Sequence, residues 1–166
     1  MTLGERLKEL RRRADRIKDA PTGPMHLVID GYNLLHAGEE WKELLKDKEG
    51  VAVARERLLD ILANYAGFTG HKVTLVFDAY RRPGASGTSE EIHGVEVVYT
   101  HEDETADAYI ERLVYETGKK ERIRVITSDA LIQTLTLSHG ALRTSSREFL
   151  TELEETREAI LDTLNE

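Results

Sequence analysis

The sequence of 166 residues contains no cysteine. Disulfide bonds, thiolate zinc sites, iron–sulfur clusters and cysteine nucleophiles are therefore excluded together. Hydrophobic residues make up 40% of the chain, a share too high for a disordered protein and sufficient for one globular domain.

Long hydrophobic runs are also missing. No stretch approaches the roughly 18 uncharged apolar residues of a membrane span, and the first 24 residues contain no apolar signal-peptide core. The sequence therefore supports neither secretion nor contact with a membrane, and the cytoplasm is the expected compartment.

Basic residues are scarce, with 23 Lys and Arg against 31 Asp and Glu and a formal net charge of -8. This balance argues against nucleic-acid binding, which normally needs a basic surface. The charge is uneven, because residues 1–24 hold seven basic and four acidic side chains and leave a net charge of -11 for the rest. We expect a basic helical extension with a Pro/Gly linker over residues 1–24, followed by one domain over residues 25–166.

Short apolar strands alternate with longer amphipathic helices in that domain. This order predicts an α/β fold with a central, mostly parallel sheet of four to five strands between helical layers. Glu96 in the strand near residues 95–99 predicts an edge position for it, and residues 81–93 are expected to form a loop. The other strands are predicted near residues 26–30, 72–78 and 122–129, and the helices near residues 39–48, 51–67, 106–118, 131–140 and 145–164.

Three of these strands end beside an aspartate, namely Asp30, Asp78 and Asp129, and Glu104 and Asp107 lie before a predicted helix. Because parallel strands end at one edge of a sheet, we expect these acids to converge there. Crowded carboxylates raise each other's pKa unless a cation lies among them. Oxygen ligands without His or Cys select Mg²⁺ or Mn²⁺, so the pattern predicts a divalent metal site.

Each acid also has a structural interpretation, which the sequence leaves open. Asp30 can cap a turn, Asp107 can stabilise a helix amino terminus, and Asp129 can cap the following helix. Glu104 fits a solvated loop charge, and Asp78 fits an ordinary strand end.

Other catalytic signatures are absent. The chain has no GxxxxGK[ST] phosphate loop and no GxGxxG after a strand, and its six histidines show no ligand spacing. A phosphatase of the haloacid dehalogenase type would need an acid two residues after Asp30, where Tyr32 stands.

Five blocks together resemble the YacP-like family of NYN-domain, PIN-like ribonucleases. They are DGYNLL (30–35), VFDAY (76–80), ETAD (104–107), TSD (127–129) and GALRTSSREF (140–149). The resemblance runs from about residue 25 to about residue 158. It implies a PIN-like three-layer α/β/α fold, a nuclease domain over residues 25–166, and a metal-dependent endoribonuclease that acts on mRNA, with the ribosome as a further partner.

The same resemblance implies roles for individual residues. Asp30 and Asp107 would be the core metal ligands, with Asp129, Asp78 and Glu104 in support, and Asn33 would position the phosphate. We hypothesise that Asp30, Asp107 and Asp129 are catalytic, with Asp129 orienting a water.

RNA also needs cations and stacking surfaces near the acids. Arg81 and Arg82 follow the second strand, and Arg143 and Arg147 flank the last motif, so all four are candidate substrate-binding residues. Solvated surface charge is the alternative for each. Tyr32 is a candidate for stacking on bases, as is Tyr80, for which core packing is the alternative.

Two other functions remain open at this stage. One is an RNA- or ribosome-binding PIN-like module that cleaves poorly, which the presence of all the key acids disfavours. The other is a metal-dependent phosphatase on a similar sheet.

Overall fold

The computed structural model describes residues 24–79, 84, 86–118, 120–130, 132, 134 and 139–165, together with Thr2, Gly4, Glu5 and Lys8. Most of the predicted amino-terminal helix lies outside these residues. Tyr80, Arg81 and Arg82 also lie outside the described residues, and so do the placements predicted for them.

Within the described residues, six strands form one sheet in the order β3-β4-β2-β1-β5-β6. Every neighbouring pair is parallel except β3 and β4. The prediction of a mostly parallel α/β sheet is confirmed, with one strand more than the upper number expected. The strands are β1 (His26–Asp30), β2 (Lys72–Phe77), β3 (Ser89–Ile92), β4 (Val95–Tyr99), β5 (Ile123–Ile126) and β6 (Leu142–Thr144).

The edge position predicted for residues 95–99 is wrong, because β4 lies inside the sheet between β3 and β2. Part of the predicted loop forms β3, which pairs with β4 through a tight hairpin. His93 (φ 50°) and Gly94 (φ 86°) connect the two strands, and positive φ at both positions gives the twist that antiparallel neighbours need. Three of the four β3 residues are exposed, which hid this strand from a search for apolar runs.

Four helices have both ends within the part of the chain that the structure describes: α1 (Gly31–Ala37), α2 (Lys48–Thr69), α3 (Ala106–Thr117) and α4 (Ser146–Leu164). The capping box of Ser145 and Glu148 starts α4 as predicted. The helix expected around residues 39–48 consists of two 3₁₀ turns, Glu39–Trp41 and Leu44–Lys46. Residues 130, 132 and 134 are helical, whereas the rest of that predicted helix lies outside the described residues.

The sheet is covered on both faces. Leu27 and Ile29 of β1 point into a cluster that includes residues of α1, α2 and α4, whereas Val28 points into a cluster with α3. Alternate residues of one strand thus enter two cores, which explains its uninterrupted apolar sequence. The three-layer α/β/α arrangement is confirmed. Within the part of the chain that the structure describes, no helix is long and apolar enough to cross a membrane.

Candidate active site

The carboxyl ends of the central strands bring four aspartates to one rim of the sheet. Asp30 is the last residue of β1 and is in register with Val76 of β2. Asp78 directly follows the end of β2, so it lies at the same edge of the sheet. Ile29 lies level with Ile126 at the end of β5, and Asp129 follows three residues later. Asp107 reaches the rim from the first turn of α3.

These acids influence each other electrostatically. Burial raises the pKa of Asp30 to about 6, and the carboxylates of Asp107 and Asp129 add to the rise, although hydrogen bonds from Asn33 and Thr127 oppose it. Burial also raises the pKa of Asp107, and so do the charges of Asp129 and Asp78 and a hydrogen bond shared with Asp129. Asp107 therefore has direct electrostatic contact with the other three aspartates.

Helix capping explains these positions only in part. The Asp30 carboxylate accepts a hydrogen bond from Asn33 N (3.5 Å) at the start of α1, and Asp129 accepts one from Ile132 N (3.4 Å). The cap of α3 is Thr105, whose hydroxyl accepts from Ala108 N (3.1 Å), so Asp107 is not the capping residue there. Asp107 lies in the first turn of α3, where the positive end of the helix dipole also stabilises an acid, as the structural interpretation expects. Neither capping nor the dipole accounts for the proximity of these acids to one another.

Glu104 is arranged differently from the aspartates. It forms an ion pair with Arg112 of α3, with Nη1 and Oε2 3.2 Å apart. Among the contacts described for Asp30 and Asp107, none involves Glu104. The Glu104 carboxylate, which was predicted to be a supporting metal ligand, thus pairs with Arg112 on α3.

Asn33 joins three segments behind the rim. Its Oδ1 accepts hydrogen bonds from Ser146 Oγ (2.5 Å) and Ser128 N (2.9 Å), and Ser146 N donates to Ser128 Oγ (3.1 Å). Ser146 is fully buried. The sequence did not identify Ser146 as a site residue. Its only signal is its place in the TSSREF block, directly after the helix cap.

The predicted substrate-binding arginines that are described lie on the surface. Arg143 is exposed on β6, level with Val125 and one position before the strand end, and Arg147 is exposed in the first turn of α4. Both are close in sequence to Ser146, which contacts the site through Asn33.

Tyr32 is a core residue. Its ring packs against Phe77 (centroids 4.9 Å apart), and its hydroxyl accepts a hydrogen bond from Arg55 Nη1 (3.1 Å). The Phe77 ring also covers Gly31 so closely that a Cβ there would lie 2.3 Å from a ring carbon. A glycine must therefore follow Asp30, which accounts for the DG of the first block.

The donor set suits a hard cation. Among the described residues, no three His, Asp or Glu side chains are already gathered as closely as a metal cage requires. The aspartates interact electrostatically, and all their donor atoms are oxygens. Mg²⁺ and Mn²⁺ accept such ligands while keeping several waters, so the residues fit an open site for these ions.

A mostly parallel sheet with aspartates on its carboxyl rim and helices on both faces is the arrangement expected of a PIN-like fold. The comparisons place the chain within that class. The family model of the YacP-like NYN domain matches residues 27–166. The chain belongs to this family.

Relatives from Bacillus subtilis agree with that assignment. The chain is 39% identical to the protein YacP of strain 168 over 129 residues, which is 77% of this chain and 74% of the relative. It is similar to the crystal structure of a mutant of Rae1 (YacP), with 37% identity, a TM-score of 0.71 and coverage of 83% and 80% of the two chains. A second Rae1 structure gives 36% identity and the same TM-score, covering 84% of this chain and 79% of that one.

Proposed function

We propose that this protein is a divalent-metal-dependent endoribonuclease. The observation that carries the proposal is the gathering of Asp30, Asp78, Asp107 and Asp129 on one rim, where burial and like charge raise the pKa of Asp30 to about 6. A protein keeps such an arrangement where a cation or a reacting group uses it. Membership of a PIN-like nuclease family supports nuclease chemistry as the reaction class.

The chain's residues have separate tasks in this proposal. Asp30 and Asp107 hold the ion, Asp129 orients a water, and Asp78 adds negative charge beside Asp107. When bound, Mg²⁺ or Mn²⁺ would help to deprotonate a water and would neutralise charge on the scissile phosphate. Asn33 keeps the ends of β5 and α4 in place through Ser128 and Ser146, while Arg147 and Arg143 attract the RNA backbone.

We further propose that the substrate is mRNA and that the ribosome assists its binding. The net charge of -11 over residues 25–166 opposes a strong grip on free RNA, because such binding depends on neutralising phosphates. A partner that presents the RNA removes this need. Cleavage of the same mRNA, free and within translating ribosomes, tests this step; equal rates would contradict it.

Cleavage of a circular RNA by the purified protein tests the central proposal, since only an endonuclease can open a circle. We expect cleavage with Mn²⁺ or Mg²⁺, none with EDTA, and a loss of about two to three orders of magnitude in Asp30→Asn with metal. Asp60→Asn, the same change at an exposed acid of α2, should leave cleavage unchanged. Cleavage that persists in EDTA, or at the wild-type rate in Asp30→Asn, would refute the metal-dependent reaction. Hydrolysis of a small phosphomonoester in place of RNA would favour a phosphatase.

A further inference from the structure

Strands β2 and β4 are paired as far as Phe77 and Tyr99, which are in register at the carboxyl rim. The next two residues opposite each other are Asp78 and Thr100. In a regular parallel ladder, the backbone N–H and C=O of a residue bind the residues before and after the one that it faces. A regular ladder would therefore join Thr100 N to Phe77 O and Thr100 O to Ala79 N.

The backbone of Thr100 makes the first of these bonds, and its side chain makes the second. Thr100 N donates to Phe77 O (3.1 Å), whereas Thr100 O accepts from Gly87 N (3.0 Å), two residues before β3. Ala79 N donates to Thr100 Oγ1 (3.2 Å). The hydroxyl thus takes the place of a ladder carbonyl, so that the end of β4 binds β2 and the segment before β3 at the same time.

Burial makes this hydroxyl necessary. Thr100 is 1% exposed and Ala79 is 3% exposed, so bulk water does not reach the bond between them. A buried N–H that loses its acceptor is unfavourable, because its lost hydration is no longer compensated. Without the hydroxyl, the backbone of Ala79 would therefore move to find another acceptor.

The two bonds from Thr100 lie directly before and after a rim acid. Val76 points into the core beside α3 and Phe77 into the core beside α2, so strand alternation turns Asp78 toward the α3 side. Asp107 lies on that side, in the first turn of α3, and the charge of Asp78 contributes to its raised pKa. The backbone that Thr100 holds is thus the backbone that sets where the Asp78 carboxylate lies.

We propose that Thr100 is a positioning residue of the active site, whose hydroxyl holds the end of β2 so that the Asp78 carboxylate stays beside Asp107. This inference rests on the proposed function, in which the rim acids bind a divalent cation. Thr100 acts through Asp78 and contacts neither the cation nor the RNA. Its hydroxyl should therefore matter to the site only while residue 78 is an acid.

Binding of Mn²⁺ without RNA, followed by electron paramagnetic resonance, tests this role. Thr100→Val keeps the shape of the side chain but removes the hydroxyl, and it should weaken Mn²⁺ binding about 10-fold. Thr100→Ser keeps the hydroxyl and should bind as the wild type does. In the background of Asp78→Asn, Thr100→Val should cause no further loss, because the acid that it positions is already gone. Additive losses, or wild-type binding by Thr100→Val, would overturn the proposal.

Thr69→Val is the matched control. Thr69 is 4% exposed, and its hydroxyl accepts from His71 N (3.2 Å) just before β2, at the opposite edge of the sheet. The same change there should lower stability and leave Mn²⁺ binding unchanged. Equal weakening of Mn²⁺ binding in the two valine variants would assign the effect to general stability and reject the proposal. Thr100→Ala takes the place of Thr100→Val if the valine variant does not fold.

Two further measurements separate this inference from the proposed function. Amide hydrogen exchange of Ala79 in metal-free protein should be faster in Thr100→Val than in the wild type or Thr100→Ser, and unchanged exchange would reject the role of the hydroxyl. In RNA cleavage, Thr100→Val should lower kcat with little change in KM. If the wild type neither binds Mn²⁺ nor cleaves RNA, the proposed function fails together with the positioning role, and the exchange experiment still decides whether the hydroxyl holds Ala79.

Discussion

The two ends of the sheet handle buried charge in opposite ways. At the amino end of β5, Arg124 is buried against α4, where it donates to both oxygens of Glu152 (2.9 and 2.7 Å), and Tyr65 also donates to Glu152 (2.6 Å). At the carboxyl rim, Asp30 and Asp107 lie near further carboxylates. One cluster joins opposite charges, whereas the other gathers like charges.

Under the proposed function, the paired cluster belongs to the framework and the like-charged cluster to the reaction. Arg124 and Glu152 neutralise each other's charge, although Arg124 Nε lacks a hydrogen-bond partner among the described residues. Breaking the pair would leave a buried charge without its counterion. The rim carboxylates raise each other's pKa and destabilise the fold when ionised. A fold tolerates this loss of stability where the acids serve a function. Substitutions at the amino end should therefore lower stability, whereas substitutions at the rim should lower activity.

Asp30→Asn is the substitution with the largest expected effect. Cleavage should fall by two to three orders of magnitude, comparable to the loss of a key electrostatic group in other enzymes. Stability should rise. The pKa of Asp30 is raised from 3.8 to about 6, so the folded state binds this proton more tightly than the unfolded state, and stability decreases as pH increases between these values.

By pH 8 the loss of stability caused by ionising Asp30 is complete and amounts to about 3 kcal/mol. Asparagine stays neutral, so the variant does not lose this stability. Asparagine can also still accept the cap hydrogen bond from Asn33 N. Urea unfolding at pH 8 without metal measures the gain. Asp60→Asn, an exposed acid of α2, should change stability by less than about 0.5 kcal/mol. A destabilised Asp30→Asn would show that the rim acids serve the fold.

Glu152→Ala should have the opposite outcome. Removing this carboxylate leaves the Arg124 guanidinium, only 4% exposed, without its ion pair, and should cost about 3–5 kcal/mol of unfolding free energy. Cleavage per folded molecule should remain. Denaturant unfolding and active-site titration measure both quantities, with exposed Glu155→Ala as control.

A double variant tests whether charge burial is the cause. Arg124→Met combined with Glu152→Leu removes both charges and should lose less stability than Glu152→Ala alone. A double variant that is the less stable of the two would assign the effect to packing instead.

The rim should also respond to pH within an accessible range. Asp30 holds a cation only when ionised, so cleavage at fixed subsaturating Mn²⁺ should fall about 10-fold per pH unit below about 6. The raised pKa of Asp107 steepens the decline. Rates measured from pH 5 to pH 8, with stability followed at each pH, check this. A flat profile down to pH 5 would show that Asp30 is not titrated in the reaction.

The rim was predictable from the sequence, but the opposite end was not. Asp30, Asp78 and Asp129 each follow an apolar strand, and parallel strands end at one edge, so local order alone brings them together. Arg124 lies inside a strand and meets Glu152 and Tyr65 from distant helices. That pairing depends on how α2 and α4 pack, which no local pattern records. Strand β3 was missed for a related reason, since its exposed acids lack an apolar period.

Ser146→Ala should have the smallest effect of these substitutions. Ser146 carries no charge, yet it supports the rim through Asn33, so its loss should lower both stability and activity slightly. It removes the 2.5 Å hydrogen bond to Asn33 Oδ1 and keeps the one from Ser128 N. We expect a loss of about 1 kcal/mol in stability and a several-fold decrease in kcat with little change in KM. The neighbouring exposed Arg147→Ala should instead raise KM, since it contacts RNA in the proposed function. Unchanged kcat in Ser146→Ala would show that the Asn33 contacts stabilise the fold without positioning the acids.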